Sequence, residues 1–136
     1  MQKVIIDSSV WLSNLAEDSK SHIARKLLKR LFGGKDGRKI LVPRIIYLEV
    51  VNNLRRLKSS DLEIAEFKNI FKSKSKNKIQ LVKTDEKIYI KAEQLGLKVQ
   101  LKTLDLLILT TVDELKINRF YTFDKKLRKA YYLIKH

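Results

Sequence analysis

Apolar residues occur along this chain in two patterns, which are short unbroken runs and longer stretches with helical spacing. The runs KVIID, KILV, IQLV and RFYTF occupy residues 3–7, 39–42, 79–82 and 119–123 and are rich in β-branched and aromatic side chains. Such runs are typical of strands buried on both faces. A last apolar run, YYLI at residues 131–134, indicates a fifth strand that would close the sheet.

Between these runs, apolar residues recur every three or four positions, which predicts helices. The predicted helices lie within residues 8–15, 21–32, 43–58, 61–71, 85–96, 103–115 and 124–130. Ser8 and Ser9 are suited to cap the first helix, Pro43 to begin the third, Asp85 to cap the fifth and Gly96 to end it. The segments GGKDGRK and KSKSKNK, at residues 33–39 and 72–78, are predicted to be loops.

The alternation of strands and helices predicts an α/β fold in one domain that spans residues 1–136. We expect three layers, with a mostly parallel central sheet of four or five strands and helices on both faces. No apolar run is long enough to span a bilayer, and Asp7 interrupts the first apolar segment before it can resemble a signal peptide. We therefore expect a cytoplasmic protein without a membrane partner.

The composition narrows the chemistry. Lys and Arg number 30 against 15 for Asp and Glu, a formal net charge of +15 that favours a polyanionic partner such as nucleic acid. A heavily solvated surface is the alternative explanation of that charge. The chain has no Cys, which excludes thiol nucleophiles and Cys-based zinc sites. It has only two His, His22 and His136, so a metal site with several His ligands is hard to build. Catalysis, if present, must rely on carboxylates.

Four acidic residues occupy unusual positions. Asp7 ends the first predicted strand, Asp124 ends the fourth, and Glu49 and Asp105 interrupt apolar helices. In open α/β sheets, ligands bind beyond the carboxyl ends of the strands, where the strand order reverses. If the first and fourth strands are neighbours in the middle of the sheet, Asp7 and Asp124 share that crevice. Taken singly, each acid also has a structural explanation, as a helix cap, a surface charge or a first-turn acid.

The segments around these acids resemble the signatures of PIN-domain nucleases, and the compact size is similar to that of the VapC-like toxins. The resemblance covers VIIDSSVWL at residues 4–12, VPRIIYLEVVNNL at 42–54, LKTLDLLILTTV at 101–112 and FYTFDKKL at 120–127, in family order. Thr110 and Thr111 depart from the small Ala residues more common in that branch.

This resemblance implies a metal-dependent endoribonuclease that cleaves RNA, such as tRNA or rRNA, with Mg²⁺ or Mn²⁺. The implied metal ligands and catalytic residues are Asp7, Glu49, Asp105 and Asp124. Ser9 and Thr122 would hydrogen-bond the carboxylates or their waters, and Arg44, Arg55, Lys125 and Lys126 would contact RNA.

The resemblance further implies a homodimer that is inhibited by an antitoxin of VapB type. A groove lined by Trp11, Leu12, Leu15, Leu54 and Leu57 is one place where such an antitoxin would lie, although core packing is the competing explanation for these residues. Two alternative functions remain open. One is a PIN-like scaffold that binds RNA or protein without cutting, and the other is a PIN nuclease that acts in RNA maturation or on DNA flaps.

Overall fold

The computed structural model describes residues 2–33, 38–57, 61–71 and 78–135. Most of the two predicted loops, GGKDGRK and KSKSKNK, lies outside the described residues, as does the predicted end of the third helix at Lys58. The strands are β1 (Lys3–Ile6), β2 (Lys39–Pro43), β3 (Ile79–Val82) and β4 (Arg119–Tyr121). The helices are α1 (Ser8–Leu15), α2 (Ser21–Gly33), α3 (Arg44–Arg56), α4 (Asp61–Asn69), α5 (Glu86–Gly96), α6 (Thr103–Glu114) and α7 (Lys125–Lys135).

The described strands form one parallel sheet in the order β3-β2-β1-β4. The predicted parallel α/β architecture is therefore confirmed. Strand order runs outward from β1 to β3 and then returns to place β4 on the other side of β1, so the reversal point lies between β1 and β4. These two strands are neighbours as expected, with Ile5 opposite Phe120, but β4 is an edge strand rather than a central one.

The helices cover both faces of the sheet because crossovers between parallel strands are right-handed. The steps β1 to β2 and β2 to β3 run in one direction, so α1 to α4 lie on one face, where α1 packs against α2 and α3. The return from β3 to β4 runs the other way and places α5 and α6 on the opposite face, in contact with each other, while α7 packs on α6. No helix among the described residues is long and apolar enough to cross a membrane.

Helix ends agree with the sequence signals at some positions and differ at others. Asp85 caps α5 as predicted, because its side chain accepts a hydrogen bond from the Ile88 backbone N–H at 3.1 Å. Ser8 and Ser9 lie inside α1 rather than before it, and their hydroxyls bond to acidic side chains instead of capping the helix.

The predicted closing strand YYLI is wrong, because these residues continue α7 to Lys135. No Gly or Pro separates this run from the preceding helix, and the apolar positions Leu127, Ala130, Tyr131 and Ile134 keep a helical spacing. Leu127, Ala130 and Tyr131 are buried, and the Tyr131 ring packs edge-on against Phe120 of β4 at a centroid distance of 5.6 Å. The described sheet accordingly has four strands.

An aromatic cluster stabilises the face covered by α1 to α4. Trp11 is fully buried, and its ring lies near Phe32, Phe67 and Phe71 at centroid distances of 5.6–6.4 Å. Its indole N–H donates to the Ile6 carbonyl at 3.1 Å, so the one polar atom of the ring is satisfied.

This packing corrects part of the expected antitoxin groove. Trp11 and Leu54 are core residues, because they are buried, whereas Leu57 is 68% exposed. Core packing, the competing explanation, is therefore the correct one for the two buried members of that set.

Candidate active site

Asp7 is held at the end of β1 by the sheet itself. Its backbone N–H donates to the Tyr121 carbonyl at 2.8 Å, which extends the β1–β4 ladder by one residue. The side chain is only 4% exposed although it carries no capping bond to α1. A buried carboxylate needs compensating partners, because removing it from water without them costs several kcal/mol.

Two hydroxyls supply those partners. Ser9 and Thr122 each donate a hydrogen bond to Oδ2 of Asp7 at 2.8 Å. The same hydroxyl oxygens accept backbone N–H groups in turn, that of Ser9 from Phe123 at 3.0 Å and that of Thr122 from Asp124 at 3.1 Å. The side chain of Asp7 is thus oriented by a network that joins the first turn of α1 to the segment after β4.

Glu49 lies on a different helix, and its side chain is hydrogen-bonded to the first turn of α1. It lies on α3, one turn beyond its N-terminus, and is partly buried. The Ser8 hydroxyl donates to Oε1 of Glu49, so adjacent serines orient two different carboxylates. The family resemblance implied such a role for Ser9 but not for Ser8, because 41 residues separate Ser8 from its partner and no local pattern relates the two.

Asp124 and Asp105 lie at helix N-termini. Asp124 precedes α7 and accepts the backbone N–H groups of Lys126 and Leu127 on Oδ1, at 2.9 and 3.1 Å. The capping explanation of Asp124 is therefore correct as far as Oδ1 is concerned. Asp105 lies in the first turn of α6 and is partly buried.

The other three carboxylates are close enough to Asp105 to act on it electrostatically. The pKa of Asp105 is raised from 3.8 to about 6, first by burial and then by the negative charges of Asp124, Asp7 and Glu49, while Lys102 opposes the shift. Like charges raise one another's pKa only when they are close. The N-termini of α1, α6 and α7 each begin at or beside one of the aspartates, and their partial positive charge offsets some of the repulsion.

The site is a loose cluster rather than a closed cage. Within the described ranges, no three acidic or histidine side chains form a ready-made set of metal ligands. The donors that the fold brings together are oxygens, which are the ligands that Mg²⁺ and Mn²⁺ prefer. Mg²⁺ keeps several waters and is usually bound through one or two carboxylates, so a loose oxygen-rich cluster suits such an ion.

The basic residues expected to contact RNA lie at different distances from the acids. Lys125 and Lys126 are exposed in the first turn of α7, directly after Asp124. Arg44 is exposed at the start of α3, beside the carboxyl end of β2, whereas Arg55 lies about 16 Å further along that helix. Lys125, Lys126 and Arg44 thus lie near the carboxyl ends of the strands, where the carboxylates are. Arg55 lies at the opposite end of its helix.

Comparison with known families identifies the family of this chain. A family model described as PIN domain matches residues 4–132. The chain belongs to the PIN-domain family. A comparison with curated proteins finds no significant match for this PIN domain.

Solved structures with the same PIN-domain fold include toxin and toxin–antitoxin proteins. The sarcin-ricin loop cleaving toxin VapC20 of Mycobacterium tuberculosis matches with a TM-score of 0.75 at 14% identity, covering 93% of this chain and 94% of that one. A chain of VapBC2 from Rickettsia felis, bound to a promoter DNA fragment, matches with a TM-score of 0.69 at 14% identity over 95% and 93%. FitAcB of Neisseria gonorrhoeae matches at 0.66 and 12% identity over 94% and 92%. The fold is that of the VapC-type structures.

Proposed function

We propose that this PIN domain is a metal-dependent endoribonuclease that hydrolyses RNA phosphodiester bonds and acts as the toxin of a VapBC-type pair. The observation that carries the proposal is the convergence of Asp7, Glu49, Asp105 and Asp124, which come from four separate segments, beyond the carboxyl ends of β1 and β4. Carboxylates that repel each other destabilise a fold unless the site binds a cation. The similarity to VapC and VapBC structures supports the same activity.

In this proposal the four carboxylates bind Mg²⁺ or Mn²⁺ directly or through water. When bound, such an ion supplies a water of lowered pKa as nucleophile and neutralises charge on the attacked phosphate. Ser9 and Thr122 keep Asp7 in one orientation, and Ser8 does the same for Glu49. This mechanism requires neither His nor Cys, in agreement with the composition.

The proposal includes the partners. The substrate is RNA, for which tRNA and rRNA are the first candidates, and the net charge of +15 favours such a polyanion. Arg44, Lys125 and Lys126 would track phosphates next to the acids. An antitoxin of VapB type is proposed because structures of the same fold include toxin–antitoxin complexes. A homodimer is proposed because the resemblance to VapC-like toxins implies one.

The test is cleavage of purified total tRNA and rRNA with Mg²⁺ or Mn²⁺, with EDTA, and with the variant Asp7→Asn. This substitution keeps the shape of the side chain and removes its charge. We expect cleavage only with metal and none by Asp7→Asn. The matched control is Asp113→Asn, which removes an exposed acid of α6 and should cleave like the unmodified protein.

Undiminished cleavage by Asp7→Asn, or cleavage that persists in EDTA, would refute the assigned roles. RNA binding without cleavage under any metal condition would favour the non-cutting scaffold instead. Light scattering of the purified protein tests the homodimer.

A further inference from the structure

A cleft of about 1030 Å³ opens along the exposed edge of the sheet, between α2, β4 and α7. β4 pairs with β1 on one side only, and the two helices rise on either side of its other edge. Ile23, Lys26, Leu27 and Arg30 of α2 line one wall at helical spacing, and Arg128, Tyr132 and Lys135 of α7 line the other.

The charged residues that line this cleft are basic. Within the part of the chain that the structure describes, its lining includes five Lys or Arg side chains and no Asp or Glu. Among the residues that the structure describes, no carboxylate is paired with Lys26, Arg30 or Arg119. Like charges that are gathered without counter-charges repel one another, so this arrangement is favourable when a polyanion neutralises it. An anionic occupant is therefore the complementary one.

Aromatic rings accompany the cations. Tyr132 lines the cleft and is 54% exposed, and its ring is 5.7 Å from that of the buried Tyr131. Phe123 lies deeper, with the Lys20 ammonium 5.0 Å above its ring. Exposed rings beside cations form the surface on which single-stranded nucleic acids bind, with bases stacked on the rings and phosphates on the cations.

The cleft adjoins the carboxylate site through Thr122. Thr122 contributes to its lining, and the hydroxyl of Thr122 donates to Asp7. Arg128, on the opposite wall, donates to the Thr122 carbonyl at 2.9 Å. A strand that places one phosphate at the acids would reach this cleft with its adjoining nucleotides.

We propose that the cleft between α2, β4 and α7 binds single-stranded RNA next to the cleaved bond, with a base stacked on Tyr132 and phosphates bound by Lys26 and Arg30. This inference rests on the proposed function, because it assigns the substrate's flanking nucleotides to a second part of the same site. The rings favour RNA over an acidic peptide, since every base presents a face for stacking.

Binding is measured by fluorescence anisotropy with a labelled oligouridylate of about 10 nucleotides, in EDTA so that cleavage does not interfere. Tyr132→Ala is expected to weaken binding about tenfold, whereas Tyr132→Phe keeps the ring and should bind like the unmodified protein. The paired variant Lys26→Ala/Arg30→Ala should lower the slope of log K against log salt by about 1.4, since two phosphate contacts are lost. Its matched control, Lys83→Ala/Lys98→Ala, removes the same charge from exposed positions outside the cleft and should leave that slope unchanged.

Three results would overturn the inference. The first is unchanged affinity in Tyr132→Ala, and the second is an equal loss in Tyr132→Phe, which would show that stacking is not involved. The third is equally tight binding of poly-L-glutamate with the same sensitivity to Tyr132→Ala, which would identify an acidic polypeptide as the occupant.

Failure of the inference and failure of the proposed function give different results. Cleft variants that bind and cleave RNA normally would reject the cleft as an RNA site and leave the nuclease intact. Weaker oligouridylate binding by Tyr132→Ala, combined with an unmodified protein that never cleaves RNA, would support the cleft and reject the nuclease.

Discussion

Replacing Asp105 with asparagine is expected to stabilise the protein in EDTA at neutral pH while abolishing the proposed RNA cleavage. The pKa of Asp105 is raised from 3.8 to about 6, by burial and by the charges of Asp124, Asp7 and Glu49. A folded-state pKa about two pH units higher corresponds to about 3 kcal/mol. Because the carboxyl is partly exposed, solvent screening reduces this to about 1–2 kcal/mol. The melting temperature of Asp105→Asn should accordingly be about 3–8 °C higher.

The pH dependence of this gain follows from the direction of the shift. An acid whose folded pKa lies above its unfolded value contributes stability that is fully present below about pH 4 and is lost as the pH rises through about 6. The neutral asparagine has no such dependence. The melting temperatures of Asp105→Asn and the unmodified protein should therefore coincide near pH 4 and diverge between about pH 4 and 6, with the full difference above about pH 7.

Thermal unfolding followed by circular dichroism at several pH values, in EDTA, measures this difference. Asp113→Asn is the control, because Asp113 is an exposed acid on the same helix and is not among the charges that raise the pKa of Asp105. Adding Mg²⁺ should stabilise the unmodified protein, by about 2.7 kcal/mol at 100 times its dissociation constant, and stabilise Asp105→Asn less. A gain that is equal at all pH values, or no gain at neutral pH, would refute the repulsion argument.

The other predictions concern the orientation of Asp7 and the aromatic cluster. Thr122→Val removes one of the two hydroxyls that bond to Asp7, and we expect its Mn²⁺ affinity, measured by calorimetry, to fall about 10- to 100-fold. Thr122→Ser keeps the hydroxyl and should retain most of that affinity. Equal Mn²⁺ affinity of Thr122→Val and the unmodified protein would contradict this role. Trp11→Ala should lower the free energy of unfolding by about 3–5 kcal/mol in urea titrations, since it empties a fully buried position. Leu57→Ala, at an exposed position, should change it by less than about 0.5 kcal/mol, and similar values for these two variants would contradict the assignment of Trp11 to the core.

Several features of this protein could be predicted from the sequence alone because they depend on local chemistry. Unbroken β-branched runs predicted β1, β2 and β3, and helical spacing predicted α2, α5 and α6 within a residue or so of their observed ends. The capping role of Asp85 follows from its position three residues before the N–H that it accepts. The four acids could be identified because a carboxylate at the end of a buried strand or within an apolar helix destabilises the fold unless it is paired, solvated or bound to a ligand.

Other features were decided only by the tertiary structure. The helical spacing of the final apolar run is present in the sequence, but only the tertiary structure shows that α7 packs on β4 and α6. Ser8 orients Glu49 across a separation of 41 residues. Thr122 was expected to bond to a carboxylate or its water, but only the fold identifies its partner as Asp7, 115 residues away. The cleft beside β4 exists because the strand order leaves that edge open between two helices. Local sequence determines which helices and strands form, whereas strand order and packing determine which distant side chains come into contact. The carboxylate site depends on those contacts between distant segments.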